Sequence, residues 1–206
     1  MATEIVFVVD DDISIRESLE PMIRSFGWEP ECFASAQAFL ERPQPSTPSC
    51  LLLDLQLPDL HGLDVQQRII VDHAEMPIIF ITGYGDVPST VKAMKAGAAE
   101  FLTKPFEEGV LVGAIRQALE RSRVALASQD ELRVLKARFA GLSRREREVM
   151  ELVVTGLLNK QVAGELNISE ITVKAHRGNV MRKMEAASLP HLVNMSSRLG
   201  IPLSSR

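Results

Sequence analysis

Three short runs of consecutive apolar residues constrain the fold of this chain more than any other feature of its sequence. They are Ile5–Val9, Leu51–Leu53 and Ile78–Ile81, and helical patterns lie between them. Apolar runs without alternation are expected of central strands in a parallel sheet, because helices cover both faces of such a sheet. The first 120 residues or so therefore predict an α/β domain built on a parallel sheet.

Strands and helices are predicted to alternate through this part of the chain. The expected strands are Ile5–Val9, Glu29–Phe33, Leu51–Asp54, Pro77–Thr82 and Glu100–Thr103. The expected helices lie near Ile13–Phe26, Ala36–Glu41, Leu63–Asp72 and Pro88–Ala96. With the helical pattern that starts at Glu107 after the fifth strand, these elements make five strand–helix units and predict a doubly wound (βα)5 sheet.

The remainder of the chain is predicted to be entirely helical. A helical pattern starts at Glu107 and continues to Phe139, either as one long helix or as two shorter helices joined near Ser128. Four short helices follow, with a tight turn at 167–169 between the second and the third. Ser169 is a suitable N-cap for the third of these helices, which is expected to span Glu170–Met184. This arrangement predicts an all-α helix-turn-helix domain.

Charge separates the two halves of the chain. The chain has a net charge of −4, but residues 1–124 carry −9 and residues 139–206 carry +4, so we expect only the second half to approach polyanions. No apolar stretch approaches the ~20 residues of a membrane span, and the N-terminus lacks a basic signal region. We therefore expect no membrane partner. Cys32 and Cys50 are expected to be free thiols rather than a disulfide, which favours a cytoplasmic location.

Acidic residues and one lysine follow the ends of different predicted strands. Asp10 and Asp11 follow the first strand, Asp54 ends the third, and Thr82 and Lys104 stand at the ends of the fourth and fifth. Because the carboxyl ends of parallel strands meet at one edge, these groups should converge there. Carboxylates gathered in this way favour a Mg²⁺ ion. One of them could then accept a phosphoryl group, whose oxygens Thr82 and Lys104 would bind. Asp12 could simply cap the first helix.

The motifs of the first half resemble the receiver domain of two-component response regulators, which has a flavodoxin-like fold. They are Val9-Asp10-Asp11-Asp12, Leu53-Asp54-Leu55-Gln56-Leu57-Pro58 with Gly62, Ile81-Thr82-Gly83 and Phe101-Leu102-Thr103-Lys104-Pro105-Phe106. The resemblance implies that a histidine kinase phosphorylates Asp54. It also implies that Asp10, Asp11, Asp54 and the backbone carbonyl of Gln56 bind Mg²⁺, and that the Lys104-Pro105 peptide is cis. Thr82 and Phe101 would be the switch residues, and Gln56 and Tyr84 would tune the phosphoryl lifetime. The ring of Phe101 could equally be a plain core residue.

The second half resembles the LuxR-type DNA-binding domain, and the whole chain the FixJ/NarL class of regulators. The motifs are Leu142-Ser143-Arg144-Arg145-Glu146-Arg147-Glu148-Val149, Gly156, Asn159-Lys160, Ile168-Ser169 and Thr172-Val173-Lys174-Ala175-His176. Lys174, Ala175 and Gly178 share one face of the third helix and are expected to meet base edges in a major groove. Arg177, Arg182, Asn159 and Lys160 are better placed for phosphates. Gly178 departs from the family, which often has a longer side chain there.

These motifs and resemblances predict a transcription regulator that phosphorylation switches, expected to be an activator, with three segments. Residues 1–122 would be the receiver domain, 123–139 a helical linker and 140–206 the DNA-binding domain. Phosphorylation would favour a homodimer on double-stranded DNA, with RNA polymerase as a further partner.

Two other hypotheses remain open. An enzyme acting through an aspartyl phosphate would need a general acid two residues after the nucleophile, where this chain has Gln56; we therefore expect no enzyme. A receiver that is never phosphorylated and serves only for dimerisation is the third hypothesis.

Overall fold

The computed structural model describes residues 3–43, 45–72, 75–83 and 87–201, with side chains for all of these except 71 and 72. The chain divides into two compact units, Met1–Ala127 and Ser128–Arg206. The predicted strands agree with the observed strands to within two residues at each end. In the part of the chain that is described, no helix combines the length and the apolar composition needed to cross a bilayer.

The first unit contains five strands and the helices between them. The strands are β1 (Ile5–Val9), β2 (Glu29–Phe33), β3 (Ser49–Asp54), β4 (Ile78–Thr82) and β5 (Glu100–Thr103). The helices between them are α1 (Ile13–Ser25), α2 (Ala36–Leu40), α3 (Gly62–Asp72) and α4 (Val87–Lys95). The next helix, α5, runs from Glu108 to Ala140, so the segment left open in the sequence is one helix.

All strand pairs in the sheet are parallel, in the order β2-β1-β3-β4-β5. Successive residues of β1 point to opposite faces: Val6 and Val8 belong to one apolar cluster, and Phe7 and Val9 to the other. Helices α1 and α5 cover the first face, whereas α2, α3 and α4 cover the second. The predicted doubly wound α/β fold is therefore confirmed.

The second unit is helical, as predicted. After the end of α5 it contains α6 (Arg144–Val154), α7 (Asn159–Leu166), α8 (Glu170–Met184) and α9 (Leu189–Arg198). Two apolar clusters hold these helices together, and α8 contributes Val173 to one and Val180 and Met184 to the other. Because both clusters use the same side of α8, its opposite side faces outward.

Side-chain caps explain where several helices begin. The Asp12 carboxylate accepts a hydrogen bond from the backbone N–H of Ser14, so Asp12 is the N-cap of α1. Ser143 and Glu146 form a capping box at the start of α6. Ser169 caps α8, two residues after Asn167 ends α7 in the left-handed conformation (φ 54°, ψ 47°) that asparagine tolerates. These caps produce the tight turn between α7 and α8.

Candidate functional sites

Three carboxylates lie together at the sheet edge where β1 and β3 end. Asp10 and Asp11 follow β1 and Asp54 is the last residue of β3; one oxygen from each lies within 4.8 Å of the others. Asp10 is fully buried and Asp54 is nearly so, whereas Asp11 is exposed. The structure thus brings together the three acids that the strand order predicted.

Lys104 is the cation of this acidic cluster. Its Nζ atom lies 2.6 Å from Oδ2 of Asp10 and 2.7 Å from Oδ2 of Asp54. Its backbone N–H donates to the carbonyl of Thr82 (2.8 Å), which joins the ends of β4 and β5, and the Lys104–Pro105 peptide is cis. The ammonium therefore bridges two carboxylates that would otherwise repel each other.

Burial and the neighbouring charges shift the pKa values of Asp10 and Lys104 in opposite directions. Burial raises the pKa of Asp10, and the hydrogen bonds from Lys104 and from the backbone N–H of Asp12 offset this only in part. Burial by itself would lower the pKa of Lys104, but its bonds to Asp10 and Asp54 outweigh burial and raise that pKa. Lys104 is therefore firmly protonated at neutral pH.

The donor set at this edge fits a hard divalent cation. Asp10, Asp11 and Asp54 offer only oxygen atoms, as Mg²⁺ requires, and the exposed Asp11 leaves an approach from solvent. Gln56 lies beside them, because its backbone N–H donates to Oδ1 of Asp54 (3.0 Å). The acidic pocket is consistent with divalent metal binding.

The two expected switch residues occupy different environments. Thr82 is buried at the end of β4. Phe101, in β5, is partly buried and packs against Phe80, with the ring centroids 6.0 Å apart. Tyr84 lies outside the described residues.

Two further residues support the acidic cluster. Nη1 of Arg16 donates to the backbone carbonyls of Asp10 (2.6 Å) and Asp11 (2.9 Å), and so holds the loop that presents both carboxylates. A Cβ atom at Gly62 would lie 2.7 Å from the carbonyl oxygen of Asp54. Only glycine leaves room there for the backbone of the phosphoacceptor candidate. Sequence reasoning placed Gly62 in a motif without this role and missed Arg16, whose spacing from Asp10 carries no local signal.

In the second unit, the outward face of α8 carries the predicted base-contacting residues. Lys174, Ala175 and Gly178 are all exposed, opposite the buried Val173 and Val180. A Cβ atom at Gly178 would meet open space, so packing does not demand glycine at this position. Nζ of Lys174 lies 3.3 Å from the carboxylate of Glu170, one turn earlier. This carboxylate therefore offsets part of the positive charge on the face.

The predicted phosphate-contacting residues surround the same face. Nη1 of Arg177 donates to Oδ1 of Asn159 (3.0 Å), which links α8 to the start of α7. Arg182 is exposed and donates to Oδ1 of Asn179 (3.2 Å), and Lys160 is exposed beside Asn159. The structure therefore pairs Arg177 with Asn159 and leaves basic groups at the rim of the exposed face.

Comparison with known proteins covers both units. The family model of the response regulator receiver domain matches residues 6–116, and that of the bacterial regulatory proteins of the luxR family matches residues 140–196. Nodulation protein W of Bradyrhizobium diazoefficiens is 52% identical over 197 residues (96% of this chain, 87% of that protein). Transcriptional regulatory protein FixJ of Rhizobium meliloti is 44% identical over 191 residues (93% of this chain, 94% of that protein).

Solved structures give the same result. The response regulator StyR is 45% identical, with a TM-score of 0.84 over 96% of this chain and 100% of that chain. Full-length FixJ from B. japonicum is 41% identical, with a TM-score of 0.57; the match covers 96% of this chain and 98% of that chain. Both resemblances that the sequence motifs indicated are thereby confirmed.

Proposed function

Because the chain belongs to the two-component response regulators that carry a receiver domain and a luxR-family DNA-binding domain, we propose that phosphorylation of Asp54 controls its binding to DNA. The observation that carries the proposal is the bridge from Lys104 to Asp10 and Asp54 at 2.6 and 2.7 Å. This bridge holds the partly buried ammonium of Lys104 against the carboxylate that ends β3, in a chain whose second unit has an exposed helix face with basic residues around it.

The proposed chemistry is transfer of a phosphoryl group from a kinase histidine to Asp54. A carboxylate oxygen of Asp54 attacks phosphorus, the N–P bond breaks, and the imidazole nitrogen keeps the electron pair and takes a proton from solvent. Lys104 is placed to neutralise the charge that develops on the phosphoryl oxygens, and the Thr82 hydroxyl is the second group proposed to bind them. In this proposal the Thr82 hydroxyl moves toward the phosphoryl group, and the ring of Phe101 moves with it.

Mg²⁺ is the proposed metal, held by Asp10, Asp11, Asp54 and the backbone carbonyl of Gln56. When bound, it supplies positive charge that offsets the repulsion between carboxylates and phosphate. The chain's own contribution is to orient the acids: Arg16 holds the backbone carbonyls of Asp10 and Asp11, and the N–H of Gln56 holds Oδ1 of Asp54.

The proposed domain boundaries are 1–122 for the receiver, 123–139 for the linker and 140–206 for the DNA-binding domain. Lys174, Ala175 and Gly178 would read base edges, and Arg177, Arg182, Asn159 and Lys160 would contact phosphates.

We further propose a cytoplasmic activator that dimerises on phosphorylation, so that two α8 helices meet two half-sites. The dimer would then act on RNA polymerase. In this proposal the chain is no enzyme, because Gln56 cannot serve as a general acid.

Titration of DNA binding tests the proposal. A duplex selected from a random pool is titrated with the full chain in the presence and absence of a small acyl phosphate donor and Mg²⁺. We expect the donor to tighten binding by the wild type and by the control Asp64→Asn, which changes an exposed carboxylate of α3, but not by Asp54→Asn. Analytical ultracentrifugation should show the same dependence for dimer formation.

Two results would contradict parts of this proposal. Equal binding by wild type and Asp54→Asn under all conditions would remove phosphorylation control and leave the receiver as a constitutive dimerisation module. Steady turnover of small phosphomonoesters would favour the enzyme instead.

A further inference from the structure

Ile171 exposes an unusually large apolar surface at a position where the fold does not need it. It lies in the first turn of α8 and is 80% exposed, whereas Val173, Val180 and Met184 of the same helix are buried. Apolar residues before a helix often pack against its first turn, as a hydrophobic staple. Here Ile168 and Val173 fill those positions and share one apolar cluster, so Ile171 is not needed for this purpose.

The geometry of α8 directs Ile171 to the same side as the residues proposed to read bases. Each residue of an α-helix turns about 100° around the axis. Lys174, Ala175 and Gly178 therefore lie within about 60° of Ile171, whereas Val173 and Val180 lie on the opposite side. Because Val173 and Val180 are fixed in the core, the direction of Ile171 is fixed as well.

The other side chains on this face are short or charged. Gly178 has no side chain, Ala175 has only a methyl group, and Lys174 ends in an ammonium that lies 3.3 Å from Glu170. Ile171 is thus the one large apolar group of this four-residue face. Its β-branched side chain is restricted to few rotamers in a helix, so little freedom remains to be lost on binding.

Among the base edges of the major groove, the apolar feature is the C5-methyl group of thymine. Residues in the first turns of a recognition helix are the ones that approach base edges. We propose that Ile171 contacts a thymine methyl group and thereby selects thymine at one position of each half-site. This inference rests on the proposed function, because it requires α8 to enter the major groove.

Replacement of thymine by deoxyuridine tests this contact, since the change removes only the methyl group. Each thymine of a duplex selected by the full wild-type chain is replaced singly, and binding is measured with donor and Mg²⁺ present. For the wild type we expect one position per half-site at which deoxyuridine weakens binding by about three- to tenfold. For Ile171→Ala, binding to the unmodified duplex should be weaker by a similar factor, and deoxyuridine at that position should have no further effect.

Leu158→Ala is the matched control. Leu158 is also exposed (71%), but it is the N-cap of α7 and lies outside the face of α8. This variant should keep the full deoxyuridine penalty of the wild type, and Ile171→Val should keep part of it. Circular dichroism checks that all variants fold.

The outcomes separate this inference from the function on which it rests. If the wild type binds the selected duplex but Ile171→Ala retains every deoxyuridine penalty, or if no thymine position matters, the methyl contact is wrong and DNA binding stands. If the wild type selects no duplex at all, the proposed function and this inference both fail.

Discussion

Lys104 and Asp54 lie 50 positions apart in sequence, yet Nζ of Lys104 is 2.7 Å from Oδ2 of Asp54. The same Nζ atom is 2.6 Å from Oδ2 of Asp10, so one ammonium serves two carboxylates. Any cation or phosphoryl group that binds these oxygens must share them with Lys104.

Lys104→Met should tighten Mg²⁺ binding and destabilise the metal-free protein. Without the ammonium, repulsion between Asp10 and Asp54 is no longer offset, and both carboxylates become fully available to a divalent cation. We expect the dissociation constant for Mg²⁺, measured by calorimetric titration, to fall by about tenfold, and Mg²⁺ to raise the melting temperature more than in the wild type. Lys95→Met, at an exposed position of α4, is the control. An unchanged dissociation constant for Lys104→Met would contradict the bridging role.

Arg16→Ala should have the opposite effect on Mg²⁺. The variant loses the hydrogen bonds that hold the carbonyls of Asp10 and Asp11, so the two carboxylates are less well oriented for a common ligand. Calorimetric titration should show several-fold weaker Mg²⁺ binding, with partial recovery in Arg16→Lys. Arg24→Ala, a change of an exposed arginine at the other end of α1, should bind Mg²⁺ like the wild type. Equal affinities in Arg16→Ala and Arg24→Ala would show that Arg16 has no positioning role.

Gly62→Ala should destabilise the first unit and slow phosphorylation. The added Cβ atom would lie 2.7 Å from the carbonyl oxygen of Asp54 and 2.9 Å from Cα of Leu55, so the backbone at Asp54 must move. Overpacking of this kind costs about 1–3 kcal/mol of the free energy of unfolding. Urea denaturation and the rate of labelling by a phosphoryl donor measure the two effects. Gly113→Ala, whose Cβ atom would meet open space on α5, should not destabilise the protein; a similar loss in both variants would argue against crowding.

Arg177→Ala should weaken binding to all duplexes by a similar factor. Arg177 is held by Asn159 at the rim of the α8 face, where a phosphate contact positions the protein without reading bases. The slope of log affinity against log salt concentration should become shallower by about one. Asn159→Ala should show a smaller effect, and Arg133→Ala, at a highly exposed site on α5, should show none. A change in base preference in Arg177→Ala would instead indicate a base contact.

Stability of the second unit should decrease in acid through Glu146. A hydrogen bond from Lys183, together with the backbone N–H of Ser143, holds the pKa of Glu146 below its ordinary value of 4.5. A lowered folded-state pKa stabilises the fold fully above the unfolded-state value, and this stabilisation is lost as the pH falls through the folded-state pKa. Differential scanning calorimetry should therefore show a destabilisation by Glu146→Gln that is largest near neutral pH and shrinks below pH 4.5. Glu151→Gln, at an exposed position of α6, should differ little from the wild type. A pH-independent effect of Glu146→Gln would exclude the charged bond as its cause.

The sequence by itself determined the order of strands and helices, the identity of the acids at the strand ends, and the exposed face of α8. Each of these depends on local patterns: continuous apolar runs mark buried strands, and N-cap residues and helical periodicity mark where α8 begins and which side it buries. The motifs of both families are likewise short stretches of sequence, and the comparisons confirmed both families.

Only the tertiary structure decided which atoms meet. The sequence predicted that Lys104 and Asp10, 94 positions apart, lie at the same edge of the sheet, but the hydrogen bond between their side chains depends on how the strands and side chains pack. The hydrogen bonds from Arg16 to two backbone carbonyls and the crowding at Gly62 likewise depend on side-chain directions and distances. The sequence specifies which residue types are available. The distances between residues that are remote in sequence are set only when the chain packs, because packing against other elements restricts the direction of each side chain.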